Sequence, residues 1–166
     1  MVSLLVRGIE DLNGADLAVR DFYNYWSGLI GSDGALPARE QIDPLEIWPH
    51  IGKVIIAELY RDGVFDPWYR LVGGEVSDLA GRSLKNRLFR DVYSKEQAEE
   101  FGALYHEIMQ DKLPRYDVSS NKLPNREFVK IARLMVPFAS DGRNVDVIVG
   151  IVVAAEDRRA RPRRSF

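Results

Sequence analysis

Two arginines carry the strongest chemical signal in the chain, because each stands inside an apolar, strand-like run. Arg70 lies between Tyr69 and Leu71, and Arg133 lies within Ile131-Ala132-Arg133-Leu134-Met135. A guanidinium so placed either faces water or, pointing inward, must find a partner, because an unpaired buried charge is costly. Turned into a cleft, it would grip a carboxylate or phosphate through parallel N–H donors. Turned outward, it is a salt-bridging residue or an aliphatic stem laid across a sheet. Strand alternation groups Arg133 with Val129, Ile131 and Met135, and Lys130 with Phe128, Ala132 and Leu134. Each face then carries one cation, so periodicity leaves the inward face open. Tyr60, Trp68, Tyr69, Tyr105, Met109 and Met135 are bulky enough to wall a cleft, or equally to fill a core. The candidate ligand site is therefore Tyr60, Trp68, Arg70, Tyr105, Met109, Arg133 and Met135.

Other chemistry is poorly supported. The chain has no cysteine, which removes disulfides, thiolate metal ligation, cysteine nucleophiles and flavin–cysteine photochemistry together. Its two histidines, His50 and His106, stand in no ligand spacing, so no metal site is expected. His106 falls off the apolar stripe Phe101, Tyr105, Ile108 and should face solvent, which makes it a poor axial ligand; neither haem nor flavin is expected. Ser119 and Ser120 have no histidine near them in sequence, and no GxSxG, GK[ST] or GxGxxG pattern occurs. Val72-Gly73-Gly74-Glu75 reads as a strand-ending turn that uses glycine's backbone freedom. With no nucleophile and base, and no paired acids, the chain is expected not to be an enzyme.

The elements that must position the arginines follow from pattern. A chain of 166 residues, 46% hydrophobic and 29% charged, can bury one sizeable core as a single domain. Leu12, Ala15, Val19, Phe22, Trp26 and Leu29 recur at spacings of three and four, which predicts an amphipathic helix from about Asn13 to Leu29, capped by Asn13 or Asp16. Glycines at 28, 31 and 34 then break the chain. A short helix broken by Pro49 is expected over 45–51. Lys53 to Tyr60 and Trp68 to Val72 read as strands flanking the turn Arg61-Asp62-Gly63. Short helices are expected over Val76 to Leu79 and Leu84 to Asp91, and a longer one from Ser94 to a stop at Pro114. Tyr116 to Ser120, Phe128 to Val136 and Val145 to Ala155 read as three more strands, the last two joined at Ser140-Asp141-Gly142-Arg143.

Two strands, a helical middle and three strands is the order of a PAS domain. Leu36-Pro37-Ala38-Arg39, Asp43-Pro44, Arg70-Leu71-Val72-Gly73 and Gly81-Arg82-Ser83-Leu84 strengthen the likeness. Over roughly Leu36 to Ala155 the chain resembles the PAS-like family found as free-standing alphaproteobacterial proteins. The resemblance implies an α+β fold, a five-stranded antiparallel sheet with helices on one face, to which this chain adds its N-terminal amphipathic helix. It divides the chain into a helix and linker (1–35), the PAS-like domain (36–155) and a tail (156–166). It also implies a sensory or regulatory module that binds a small ligand or a protein partner; the alternative is a scaffold with a filled core. No output domain is recognisable, so a signal would leave through protein contacts. The N-terminal helix would either cover the open face of the sheet or pair with a second copy, and Leu12, Val19, Phe22, Trp26 and Leu29 are the candidate homodimer face.

The tail from Glu156 to Phe166 carries five arginines and two acids, leaving the rest of the chain acidic within a net charge of −2. Such a body argues against a nucleic-acid surface, while the tail reads as a free basic arm able to touch an anionic partner. The start lacks the pattern of a signal peptide, and no apolar segment is long enough to span a bilayer, so a cytoplasmic protein without membrane insertion is expected.

Overall fold

The structure, a computed structural model, describes residues 4–6, 12, 14–120 and 129–155. The five expected strands are present as β2 (Val54–Arg61), β3 (Val64–Val72), β4 (Arg115–Ser120), β5 (Lys130–Phe138) and β6 (Val147–Ala154). They form one antiparallel sheet, to which a sixth short strand, β1 (Leu4–Val6), adds beside β4. The order β1-β4-β5-β6-β2-β3 puts β6, last in the chain, at the centre between β5 and β2. That position explains its composition: Val147-Ile148-Val149-Gly150-Ile151-Val152-Val153 is buried throughout, as a strand covered on both faces must be. Strand β1 was not foreseen, since three apolar residues specify nothing alone and become a strand only where β4 offers an edge of unpaired backbone groups.

Strand β3 begins four residues earlier than its sequence suggested. Asp66 and Pro67 weaken the strand signal, yet the β2–β3 pairing shifts register between Glu58 and Tyr60, opposite these residues. Proline is tolerated there because a bulge asks for no ladder hydrogen bond.

Among the described residues there are five α-helices: α1 (Leu17–Leu29), α2 (Pro44–Ile47), α3 (Gly74–Ala80), α4 (Phe89–Val92) and α5 (Lys95–Asp111). Asp16 caps α1 by accepting from the Ala18 N–H at 2.8 Å. Ser94 and Gln97 form a reciprocal capping box on α5, which ends at Lys112 in the left-handed region, two residues before Pro114. Helix α2 passes at Trp48 into a 3-10 turn, Trp48–Lys53, that contains Pro49. The helix expected over Leu84 to Asp91 shrinks to α4. Asn86 takes a positive φ of 61°, and Leu88 pairs with Trp68 as an isolated bridge, so this stretch covers the outer edge of β3 instead.

The two sides of the sheet have different covers. Ile131, Arg133 and Met135 of β5 share a side with Ile55 of β2 and Val152 of β6, beneath α3 and α5. The other side presents buried Ala132, Leu134, Val136 and Phe138, against which α1 packs. This corrects the assignment of α1 to a homodimer face. Leu12, Val19, Phe22 and Trp26 are buried within the monomer, Leu29 packs at the margin of the same core, and the Trp26 indole N–H donates to the Pro137 carbonyl at 2.9 Å. An apolar face on the sheet and an apolar stripe on the same chain satisfy one another first.

Gly73 is required for a reason other than the one expected. Its backbone is ordinary, with φ −63°, but a Cβ there would stand 2.2 Å from the Gly52 carbonyl oxygen, so two backbones cross where no side chain fits. Gly81 does use its freedom, closing α3 at φ 72°. The tail over 156–166 lies outside the described residues.

Candidate functional site

A cavity of about 80 Å³ lies between the sheet and its helical cover. Ile55, Ile131, Met135 and Val152 form its floor, and Val76, Leu79, Leu84 and Phe101 form walls from α3, the following loop and α5. Its polar lining comes from Tyr69, Tyr93, Ser119 and Arg133. Space in a close-packed interior is exceptional, and this one is several times what a single water needs.

Arg133 supplies the charge, and a carboxylate already holds it. Asp117 is its direct partner across the β4–β5 ladder, so both side chains leave the same side of the sheet. Arg133 Nε donates to Asp117 Oδ1 at 3.1 Å and Nη2 donates to Oδ2 at 2.8 Å, a bidentate pair. The guanidinium also lies over the Phe101 ring, its carbon 5.1 Å from the centroid. Burial alone would lower the Arg133 pKa, but the Asp117 charge and hydrogen bonds more than offset it and hold it above the ordinary value. The charge is therefore kept and nearly cancelled.

Beside it stands a group of tyrosines. The Tyr69 and Tyr93 hydroxyls are 2.6 Å apart, one donating to the other. Tyr105, fully buried on α5, sits against Phe89, and its hydroxyl has no hydrogen-bond partner among the described residues. Burial pushes all three phenols above their ordinary range. Arg133 pulls each back only in part, so the cluster stays neutral at any physiological pH.

Of the candidate ligand residues, Arg133 and Met135 line this cavity, and Tyr105 stands within the aromatic cluster behind it. Met109 packs half-buried at the edge of the core. Arg70 is a correction: its side chain is 49% exposed and pairs with Glu58, which Arg39 also contacts, on the surface of the β2–β3 ladder. A second register shift in the β2–β3 ladder decides this: Ile56 pairs with Leu71 and Ala57 with Tyr69, so Arg70 is the extra residue and Tyr69 turns inward. Tyr60 is exposed and meets Phe65 edge-on, while Trp68 is half-buried in a separate depression with Arg61, Asn86 and Asp91. His106 is exposed as expected, its ring 4.3 Å from that of Phe65. Tyr93, Ser119 and Asp117 were missed. Tyr93 stands in a two-residue gap between helices where no periodicity applies, whereas Asp117 could have been found by pairing the two strands in register.

Among the described residues, no group of histidines, aspartates and glutamates could hold a metal ion, and no helix is long and apolar enough to cross a membrane.

An antiparallel sheet of this order, with α3 and α5 over one side and α1 over the other, thus holds a cavity beneath α3 and α5. A PAS domain family model matches residues 15–153, and the chain belongs to that family. Among solved structures it is similar to one titled "Structure of an RNA-binding Light-Oxygen-Voltage Receptor", at 11% identity with a TM-score of 0.48. The match covers 72% of this chain and 36% of that one, so the chain spans little more than a third of that receptor's length. No curated protein matches the sequence.

Proposed function

We propose that this PAS domain is a non-enzymatic cytoplasmic sensor that admits a small molecule to the cavity beside Arg133 and Tyr69 and signals through protein contacts. The cavity carries this reading: its apolar walls and few convergent polar groups are what a small-ligand site requires. Ala80 lines it from α3, so Ala80→Leu would fill it from a helical position that already carries a side chain. Screening small metabolites by thermal shift should find compounds that raise the melting temperature of the wild type and not of Ala80→Leu. Stabilisation that persists in the filled variant, or no stabilising compound at all, would remove the ligand from the proposal.

A second observation favours the scaffold alternative, and also supplies an exit for a signal. Leu45 and Trp48, one turn apart on α2 and its extension, are 79% and 68% exposed. Large apolar side chains grouped on a surface mark contact sites. If a protein partner docks there, Trp48→Ser should abolish its capture while leaving ligand-induced stabilisation intact.

A further inference from the structure

Resting on the reading of the cavity as a ligand site, we infer that its ligand is a small, uncharged molecule whose polar group is a hydrogen-bond acceptor such as a carbonyl oxygen, and that carboxylates and amines are rejected.

Charge comes first. Among the described residues Arg133 is the one charged residue lining the cavity, and Asp117 takes two of its three nitrogens in a bidentate pair. A carboxylate entering would leave water without gaining a free cation, and it would approach the Asp117 carboxylate as well; neither term favours it. Arg82, whose charge acts on Tyr93, is exposed and donates to the Val92 carbonyl.

The hydrogen-bond inventory gives the polarity of the ligand. Tyr69 and Tyr93 bring two hydroxyl protons to one shared hydrogen bond, so one proton is left to give. Nη1 of Arg133 is directed to neither Asp117 oxygen and is a donor only. Ser119, whose hydroxyl can donate or accept, completes the polar lining, so donors outnumber dedicated acceptors. An ammonium brings only further donors, whereas a ketone or aldehyde oxygen takes the spare proton without adding charge. The burial that keeps these phenols neutral opposes any other buried charge by the same mechanism.

Size limits the class further. At about 80 Å³ the space is about half the roughly 150 Å³ cavity that admits benzene, so the ligand is limited to a skeleton of a few heavy atoms.

The test compares 2-butanone, propionate and n-propylamine by amide chemical-shift titration of the full chain, with xenon as a purely apolar probe. Xenon and 2-butanone should shift amides of Ile55, Met135 and Val152, and propionate and n-propylamine should bind at least about tenfold more weakly than 2-butanone. In Tyr69→Phe/Tyr93→Phe, xenon should still enter while 2-butanone loses most of its affinity. Propionate binding as tightly as 2-butanone would overturn the inference and leave the ligand site standing. So would 2-butanone binding unchanged in the double variant. Exclusion of xenon from the wild type would remove the site itself, and the inference with it. Should the double variant fail to fold, the wild-type comparison of the ketone, acid and amine decides alone.

Discussion

Arg133 and Asp117 face each other across the β4–β5 ladder and close a bidentate ion pair at 3.1 and 2.8 Å, with Phe101 stacked on the guanidinium. The pair fastens β4 to β5 beside the cavity, and it turns what the sequence offers as an anion receptor into a nearly neutral wall.

Breaking the pair from one side should be expensive. Asp117→Ala strands the charge of an Arg133 side chain that is only 16% exposed and should cost about 3 kcal/mol in denaturant unfolding. Replacing both partners at once, Asp117→Leu with Arg133→Met, should cost far less than the sum of the single changes, since no charge is then left alone. Additive single and double losses would mean that the two side chains do not depend on each other.

Tyr105 gives the opposite sign. Its hydroxyl is buried without a partner among the described residues, so Tyr105→Phe should stabilise the ligand-free protein by about 1 kcal/mol. Tyr69→Phe, which breaks the hydroxyl pair with Tyr93, should instead destabilise by a similar amount. Melting of the two variants under identical conditions separates them, and equal shifts would contradict the arrangement.

High pH should unfold the protein through the same cluster. Tyr69, Tyr93 and Tyr105 have folded-state pKa values above the ordinary value near 10, so the folded protein keeps protons that the unfolded chain gives up. Their stabilisation is complete below about pH 10 and is lost progressively as the pH rises beyond it. Phenolate absorbance should show these three of the seven tyrosines ionising together with loss of structure, and Tyr105→Phe should soften the alkaline loss. Smooth ionisation of all seven near pH 10 in a folded protein would show the cluster to be hydrated.

Helix α1 should be indispensable to the monomer. Phe22→Asp places a charge in the contact between α1 and the sheet and should cost more than about 4 kcal/mol, leaving the chain unfolded. Trp26→Phe keeps most of the volume, loses the hydrogen bond to Pro137, and should cost about 1 kcal/mol. A folded Phe22→Asp monomer in sedimentation would instead make the stripe a surface between copies.

Much of the fold was legible because its signals are local. The α1 stripe, the Ser94 cap, the turn at Ser140 to Arg143 and the all-apolar β6 each follow from periodicity or turn chemistry within a few residues. The five principal strands and the helical middle could be read in this way, whereas for Arg133 and Met135 periodicity left the inward face open. Local pattern failed where a distant partner made the decision. Leu4–Val6 becomes a strand only beside β4, and Leu88 leaves its helical context for a bridge to Trp68. Gly73 is needed only because Gly52 crosses it.

For the site, the sequence by itself determined that an arginine and a store of aromatic residues would be spent within one small α+β domain, and that no thiol chemistry was available. Which arginine turns inward, what neutralises it and whether α1 meets its own sheet or a second copy were decided only by tertiary structure. The reason is physical. A side chain's face depends on register, a single bulge in β2–β3 resets that register for Tyr69 and Arg70, and a charge's partner is fixed by strand pairing, which brings Asp117 to Arg133 from sixteen residues away.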